Sequence, residues 1–301
     1  MKEAVSFSPG HITGLFKICD QPSNPLKQGS LGSGVSISKG VTSRVQIERA
    51  KKMSCEIKIN NEVETAKVSK HVLDTFLSQV DENYNILINH EVEIPIGSGL
   101  GSSGAGALSL SLALNEVFEL GLSRIEAAQI AHIAEVNCKT GLGTVIAETY
   151  GGLEIRVKPG APGVGELMQI PLDGDYCVAY LNLGTLFTDK ILIDNVLRKQ
   201  INEFGEKFLH KLVLSPTPHK FMEMSRSFAE RIGLLSERMK QILKETDEKG
   251  YQCSMAMFGE LIFALIERDS VKGLLNIFNK HRKGESNMNV VEIDCKGARL
   301  L

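Results

Sequence analysis

The chain has 301 residues, enough for one large domain or two of ordinary size. Lys plus Arg is 34 and Asp plus Glu is 36, a net charge of −2 that leaves no electrostatic footprint for nucleic acid or an anionic membrane surface. Hydrophobic residues at 43% and charged residues at 23% exclude a disordered chain, and 28 Gly with 9 Pro exclude a collagen-like one.

Met1-Lys2-Glu3 leads into a strand-like segment over 4–8 and not into an apolar leader, so a cytoplasmic location is expected. Val35 and Ile37, Val45 and Ile47, then Cys55, Ile57 and Ile59 recur at period two, as half-buried strands do. Val72, Leu73, Phe76, Leu77 and Val80 follow a helical period and predict an amphipathic helix over 69–80. Ile86, Ile88, Val92 and Ile94 read as strand again. Residues 95–106 form a glycine-serine turn, and 107–120 is apolar on nearly every face, as a buried helix is. No residue from 94 to 115 is charged, but the Gly and Ser content fits that turn and helix better than a membrane span.

Ser123, with Glu126 three residues on, is a capping box that opens a helix running to 137. Gly141-Leu142-Gly143 breaks the chain before a strand over 153–157. Pro159-Gly160-Ala161-Pro162-Gly163 reads as a linker dividing an N-terminal domain, 1–163, from a C-terminal one, 164–301. Beyond it come an apolar strand at 177–183 and helices over 189–204 and 218–247. A strand over 251–258, a turn at Gly259 and an apolar helix to 267 follow. Strands and helices mixed without strict alternation give an α+β class. The six cysteines contain no CxxC pair, so neither zinc nor disulfides are signalled, and most are expected to be small buried residues in a reducing compartment.

The sharpest signal is Pro95-Ile96-Gly97-Ser98-Gly99-Leu100-Gly101-Ser102-Ser103-Gly104-Ala105-Gly106, between a strand and a long helix. Glycines let the backbone approach a ligand and adopt positive φ. The helix behind them aims free N–H groups and its positive dipole end into the loop. That is an anion site, with phosphate as the usual occupant. Ser102 and Ser103 add hydroxyls able to donate to phosphate or to ligate Mg²⁺. The loop lacks the Lys-Ser/Thr ending of a P-loop, and no acidic residue follows as a Rossmann site requires.

Pro95, Gly99-Leu100-Gly101-Ser102-Ser103-Gly104 and Ala105 together resemble the second motif of the GHMP kinases. Ser8-Pro9-Gly10-His11-Ile12-Thr13-Gly14 resembles their first, substrate-side motif. Cys253-Ser254-Met255-Ala256-Met257-Phe258-Gly259 takes the place of the third, with one glycine where most members have several. The first motif, His132-x-x-Glu135 before Gly141-Leu142-Gly143, and the segment from Gly151 to Gly163 are most similar to the archaeal branch acting on pantoate. The resemblance implies two domains, one like ribosomal protein S5 and one ferredoxin-like. It also implies ATP-dependent phosphorylation of the primary hydroxyl of pantoate, on the archaeal route to coenzyme A.

The resemblance implies site residues too. Pro95, Gly97, Gly99, Leu100, Gly101, Ser102, Ser103, Gly104 and Ala105 would hold ATP, with Ser103 and Glu135 as ligands of Mg²⁺. His132 and Glu135, three apart on one helix face, point the same way. His132 is equally readable as a core histidine or a substrate contact. Arg156 could be a surface arginine; the resemblance makes it the clamp on the pantoate carboxylate, with Lys158 as an accessory charge on the same strand face. His11 and Thr13, after a Pro-Gly turn, would line the substrate pocket. Ser30 is a loop hydroxyl near the substrate entrance or part of a plain turn. Thr188 contacts substrate or caps a helix.

One departure stands out. Many GHMP kinases carry an aspartate, assigned as the base, at the place of Thr144, and threonine is no general base at neutral pH. Either transfer proceeds without a protein base, since a loose transition state demands little early deprotonation, or activity is reduced. Two other functions therefore stay open. One is a GHMP kinase for another alcohol such as mevalonate or homoserine; the other is a non-catalytic ATP-binding sensor. A small-molecule substrate, no nucleic acid, no membrane and a homodimer (the commonest assembly) are the partner expectations.

Overall fold

The structure, a computed structural model, describes residues 1–184, 194–282, 284 and 287–301. Two sheets form its frame. The larger is an eight-stranded sheet in which β12 (Arg299–Leu300), β1 (Lys2–Cys19), β2 (Gly29–Arg49), β5 (Tyr84–Val92), β3 (Ser54–Ile59) and β4 (Glu62–Val63) follow one another, while β6 (Leu153–Lys158) pairs with both β2 and β7 (Glu166–Gln169). The smaller runs β11 (Asn287–Val291), β8 (Tyr176–Gly184), β10 (Glu260–Glu267), β9 (Ser254–Met255).

Helices α1 (Lys67–Leu77), α2 (Ser102–Phe118) and α3 (Arg124–Cys138) share one hydrophobic core with β2 and β5, built on residues such as Val45, Phe76, Ile88, Leu110 and Ala131. Helices α5 (Asn195–Leu214), α6 (Pro218–Ile232) and α7 (Glu237–Glu248) share a second core with β8 and β10 and with the far half of β1. There Gly205 lies against the Phe16 carbonyl and Gly14 against Ser225. The remaining helices are α4 (Thr144–Tyr150) and α8 (Val271–His281).

Several elements differ from the sequence reading for physical reasons. The first motif lies inside an 18-residue strand and follows no turn, because β1 is sandwiched between layers and buries consecutive residues. Ser30 likewise sits in β2 and not in a turn. Helix α2 starts at Ser102, inside the glycine-serine segment. Residues 260–267 are strand and not helix: Leu261-Ile262-Phe263-Ala264-Leu265 is a short apolar run at the centre of a sheet, which periodicity alone does not separate from a buried helix. The expected helix over 218–247 is two helices separated at Gly233, which adopts φ +71°. The capping box of Ser123 and Glu126 is present. Of the six cysteines, Cys177 and Cys253 are buried while Cys55 and Cys295 are exposed, so burial is not their common feature. Among the described residues no helix is long and apolar enough to cross a membrane.

Candidate active site

The loop before α2 is built by alternation. Gly97, Gly99 and Gly101 adopt φ of +73°, +78° and +72°, each a left-handed conformation that side chains resist. Gly101 is the N-cap residue and has no side chain to cap with, so the first N–H groups of α2 face the loop uncapped. No acidic residue lies in that first turn. A 17-residue helix ending this way presents donors and positive potential to an anion. Ser102, Ser103, Gly104 and Ala105 form the first turn itself.

The other motifs meet this loop and each other through backbone contacts. His11 N–H donates to the Leu100 carbonyl at 2.9 Å, and Met257 N–H donates to the Thr13 carbonyl at 2.9 Å. A Cβ on Gly259 would stand 1.9 Å from the Ser98 carbonyl oxygen. The single glycine of the third motif is therefore the one that lets it seat against the second.

Beside α2 stands Glu135, buried on α3. Its Oε1 accepts from Ser103 Oγ at 2.5 Å and from Thr140 Oγ1 at 2.7 Å. Burial raises its pKa above the usual carboxylate value, opposed by these two hydrogen bonds. Carboxylate and hydroxyl are hard oxygen donors of the kind Mg²⁺ takes. No group of three or more His, Cys, Asp or Glu able to hold a metal occurs among the described residues. A cation here would complete its shell with phosphate oxygens and water, the usual habit of Mg²⁺.

Across β1 and β6 lies a buried charge cluster. Arg156 Nη1 donates to Glu154 Oε1 at 2.7 Å, and His11 Nε2 meets the same oxygen at 3.0 Å. His11 Nδ1 faces Thr13 Oγ1 at 3.2 Å. Burial holds His11 below its ordinary pKa, so the neutral ring donates from Nε2 to Glu154 and accepts at Nδ1 from Thr13. Gly32 and Gly34 on β2 make the room: Cβ atoms there would stand 2.2 Å from Arg156 Nη2 and 2.3 Å from His11 Cε1. Arg156 Nε and Glu154 Oε2 have no hydrogen-bond partner among the described residues. A Cβ on Gly143 would lie 3.1 Å from Arg156 Nε and 2.0 Å from Ser30 Oγ, so both donors border the space beside Gly143.

Ser30 and Arg156 thus border Gly143, Thr144 borders Gly104 and, with Glu135, Gly141, and Glu135 accepts from Ser103, while His11 and Thr13 join the loop and the third motif through their backbone. His132 Nε2 lies 3.1 Å from the carbonyls of both Pro25 and Gln28, on the segment that leads into Ser30. Lys158 is exposed and pairs with Glu166, because an irregularity in register between Arg156 and Lys158 breaks the strand alternation. Thr188 lies outside the described residues. Pro159–Gly163 connects β6 to β7, and Ala161 N–H donates to the Leu26 carbonyl.

Sequence reasoning missed two carboxylates, Glu148 and Glu154, both without solvent exposure. The available signals were a lone Glu inside the apolar run Val145-Ile146-Ala147-Glu148 and a Glu two residues before Arg156 on one strand face. A cavity of about 290 Å³ also adjoins the loop. Ile59, Val92 and Ile96 form part of its wall, and Ser102, Ser103 and Lys67 border it.

Residues 53–152 match the family described as GHMP kinases N terminal domain. The chain is 36% identical to pantoate kinase of Methanocaldococcus jannaschii over 271 residues, covering 90% of this chain and 96% of that one. It is also 36% identical to pantoate kinase of Thermococcus kodakarensis over 282 residues, covering 91% and 92%. The chain belongs to the pantoate kinase family. Within that family's fold, a solved phosphotransferase related to the CoA biosynthesis pathway superposes with a TM-score of 0.90 at 32% identity, covering 99% of this chain and 98% of that one. Mevalonate diphosphate decarboxylase from Staphylococcus aureus shares the fold at a TM-score of 0.74 and 14% identity, covering 100% and 98%. The fold is the GHMP kinase fold.

Proposed function

We propose that this chain transfers the γ-phosphoryl group of ATP to the primary hydroxyl of pantoate. The observation that carries the substrate reading is Arg156. It is buried, held by Glu154, and keeps an unpartnered Nε beside Ser30 Oγ. A planar guanidinium with a donor to spare suits a carboxylate, and pantoate has one at the end opposite its primary hydroxyl. Family membership supports the same reading.

The loop N–H groups hold the β- and γ-phosphates, and the cavity walled by Ile59, Val92 and Ile96 takes the base. Lys67 borders that cavity and adds positive charge near the phosphates. Ser103 and Glu135 would hold Mg²⁺, which would supply charge neutralisation to the transferring phosphates. Arg156 and Ser30 fix the acceptor, and Glu154 with His11 fixes Arg156. Catalysis is then mainly positioning and charge stabilisation on a buried, preorganised scaffold. A homodimer is the proposed assembly.

The test is ADP release with Mg-ATP and a panel of pantoate, pantothenate, mevalonate and homoserine. Turnover with pantoate alone is expected. Turnover with mevalonate or homoserine instead would move the substrate assignment. ATP binding with no turnover on any of the four would favour a sensor.

A further inference from the structure

Glu148 is the least explained group near the site. It has no solvent exposure, and neither carboxylate oxygen has a hydrogen-bond partner among the described residues. A fully buried carboxylate with no donor is costly, and such sites concentrate where chemistry requires them. Its placement is specific. A Cβ on Gly101 would stand 2.5 Å from its Oε1, and one on Gly104 would stand 2.8 Å from its Oε2. The same Gly104 position lies 2.6 Å from Thr144 Oγ1. Thr144 and Glu148 are four apart on α4, so both face the first turn of α2. Thr144 is partly exposed while Glu148 is sealed behind it.

We propose that Glu148 receives the acceptor's hydroxyl proton through Thr144. This deepens, and rests on, the reading of the chain as a kinase. It answers the absence of an acidic residue at position 144: the hydroxyl there needs no basicity of its own if a carboxylate stands behind it. Thr144 Oγ1 and Glu148 Oε2 border the same Gly104 position but share no hydrogen bond in this structure, so the relay closes when the acceptor binds and the Thr144 hydroxyl turns onto Glu148. The proton of the attacking hydroxyl then passes to Thr144 Oγ1 as the threonine's proton passes to Glu148. The hydroxyl oxygen's electron pair forms the new bond to the γ-phosphorus. The bond from that phosphorus to the β–γ bridging oxygen breaks, and its pair leaves on ADP. Glu148 returns the proton to solvent after product release.

The surroundings set the proton affinity. Burial first, and then the Glu135 carboxylate on α3, push the Glu148 pKa well above the ordinary carboxylate value, while Arg156 on β6 pulls it back. His11 on β1 is neutral and occupied with Glu154, and the first turn of α2 carries no acid. A carboxylate of raised pKa is a better proton acceptor near neutral pH.

The experiment compares wild type, Glu148→Gln, Thr144→Val, the double variant, and Glu148→Gln combined with Thr144→Asp. Each is assayed on whichever acceptor the wild type turns over. Gln preserves the size of Glu148, and thermal melts confirm folding. We expect Glu148→Gln to lower kcat about 100-fold, the usual worth of positioned proton transfer, with both KM values little changed. Thr144→Val should cost a similar factor, and the double variant no more than the worse single. Asp at 144 should restore much of the loss. The wild-type kcat should climb with pH through a limb above the carboxylate range, and Glu148→Gln should lack that limb. Wild-type kcat in Glu148→Gln, or losses that multiply in the double variant, overturns the proposal. A wild type silent on pantoate but active on another alcohol overturns the substrate reading alone, and silence on every alcohol overturns both.

Discussion

Arg156 and Glu154 depend on each other. Both are buried, and each lends the other its counter-charge. Removing one leaves the other desolvated and unpaired, at about 3–5 kcal/mol for such pairs. Arg156→Ala should therefore lower stability by that order and raise KM for pantoate more than for ATP. Urea unfolding and steady-state kinetics separate the two effects. Adding Glu154→Gln should recover stability without recovering KM, whereas equal KM effects on both substrates would argue against a carboxylate clamp. Glu148 carries a pH prediction. Its folded pKa lies above the unfolded value, so the folded state is favoured while the acid is neutral and is penalised as pH rises through the folded pKa. Glu148→Gln should thus melt above wild type at pH 8 and converge with it at pH 4. A constant difference across that range would mean the group titrates alike in the folded and unfolded states.

At the scale of elements, three motifs, one in strand β1, one a glycine-serine loop and one the turn between β9 and β10, become one site through backbone contact. Gly259 seats on Ser98, His11 on Leu100, and Met257 on Thr13. The β2 glycines act likewise for side chains. Gly32→Ala would set a methyl 2.2 Å from Arg156 Nη2. We expect a raised KM for pantoate with KM for ATP little changed; equal changes in both would place the defect in the fold and not in the clamp. The capping box, the buried helix and the glycine-serine loop before it were legible in the sequence, because each rests on local spacing. The strand over 260–267 and the strand setting of His11 and Ser30 were not. Central strands buried on both faces lose the alternation that marks them. Glu154 and Glu148 were illegible for another reason: only the pairing of β6 with β2, and the seating of α4 against α2, bring them to the site.

At the scale of the whole molecule, the first core places α2 and α3 over the larger sheet, and the second seats β9 and β10 so that Gly259 meets the loop. The GHMP architecture was readable only through the motif resemblance, since composition and periodicity reach no further than a mixed α+β class. The account's central claim is that the carboxylate end of pantoate is held at Arg156 while the far hydroxyl meets the phosphate loop. Pantoate has a primary hydroxyl remote from its carboxylate and a secondary one next to it. NMR of the product, locating the new phosphate by its coupling to neighbouring protons, tests this most directly. The account predicts phosphate on the primary hydroxyl. Phosphate on the secondary hydroxyl would put the carboxylate beside the loop, and would contradict the placement of Arg156 and the two facing halves of the site.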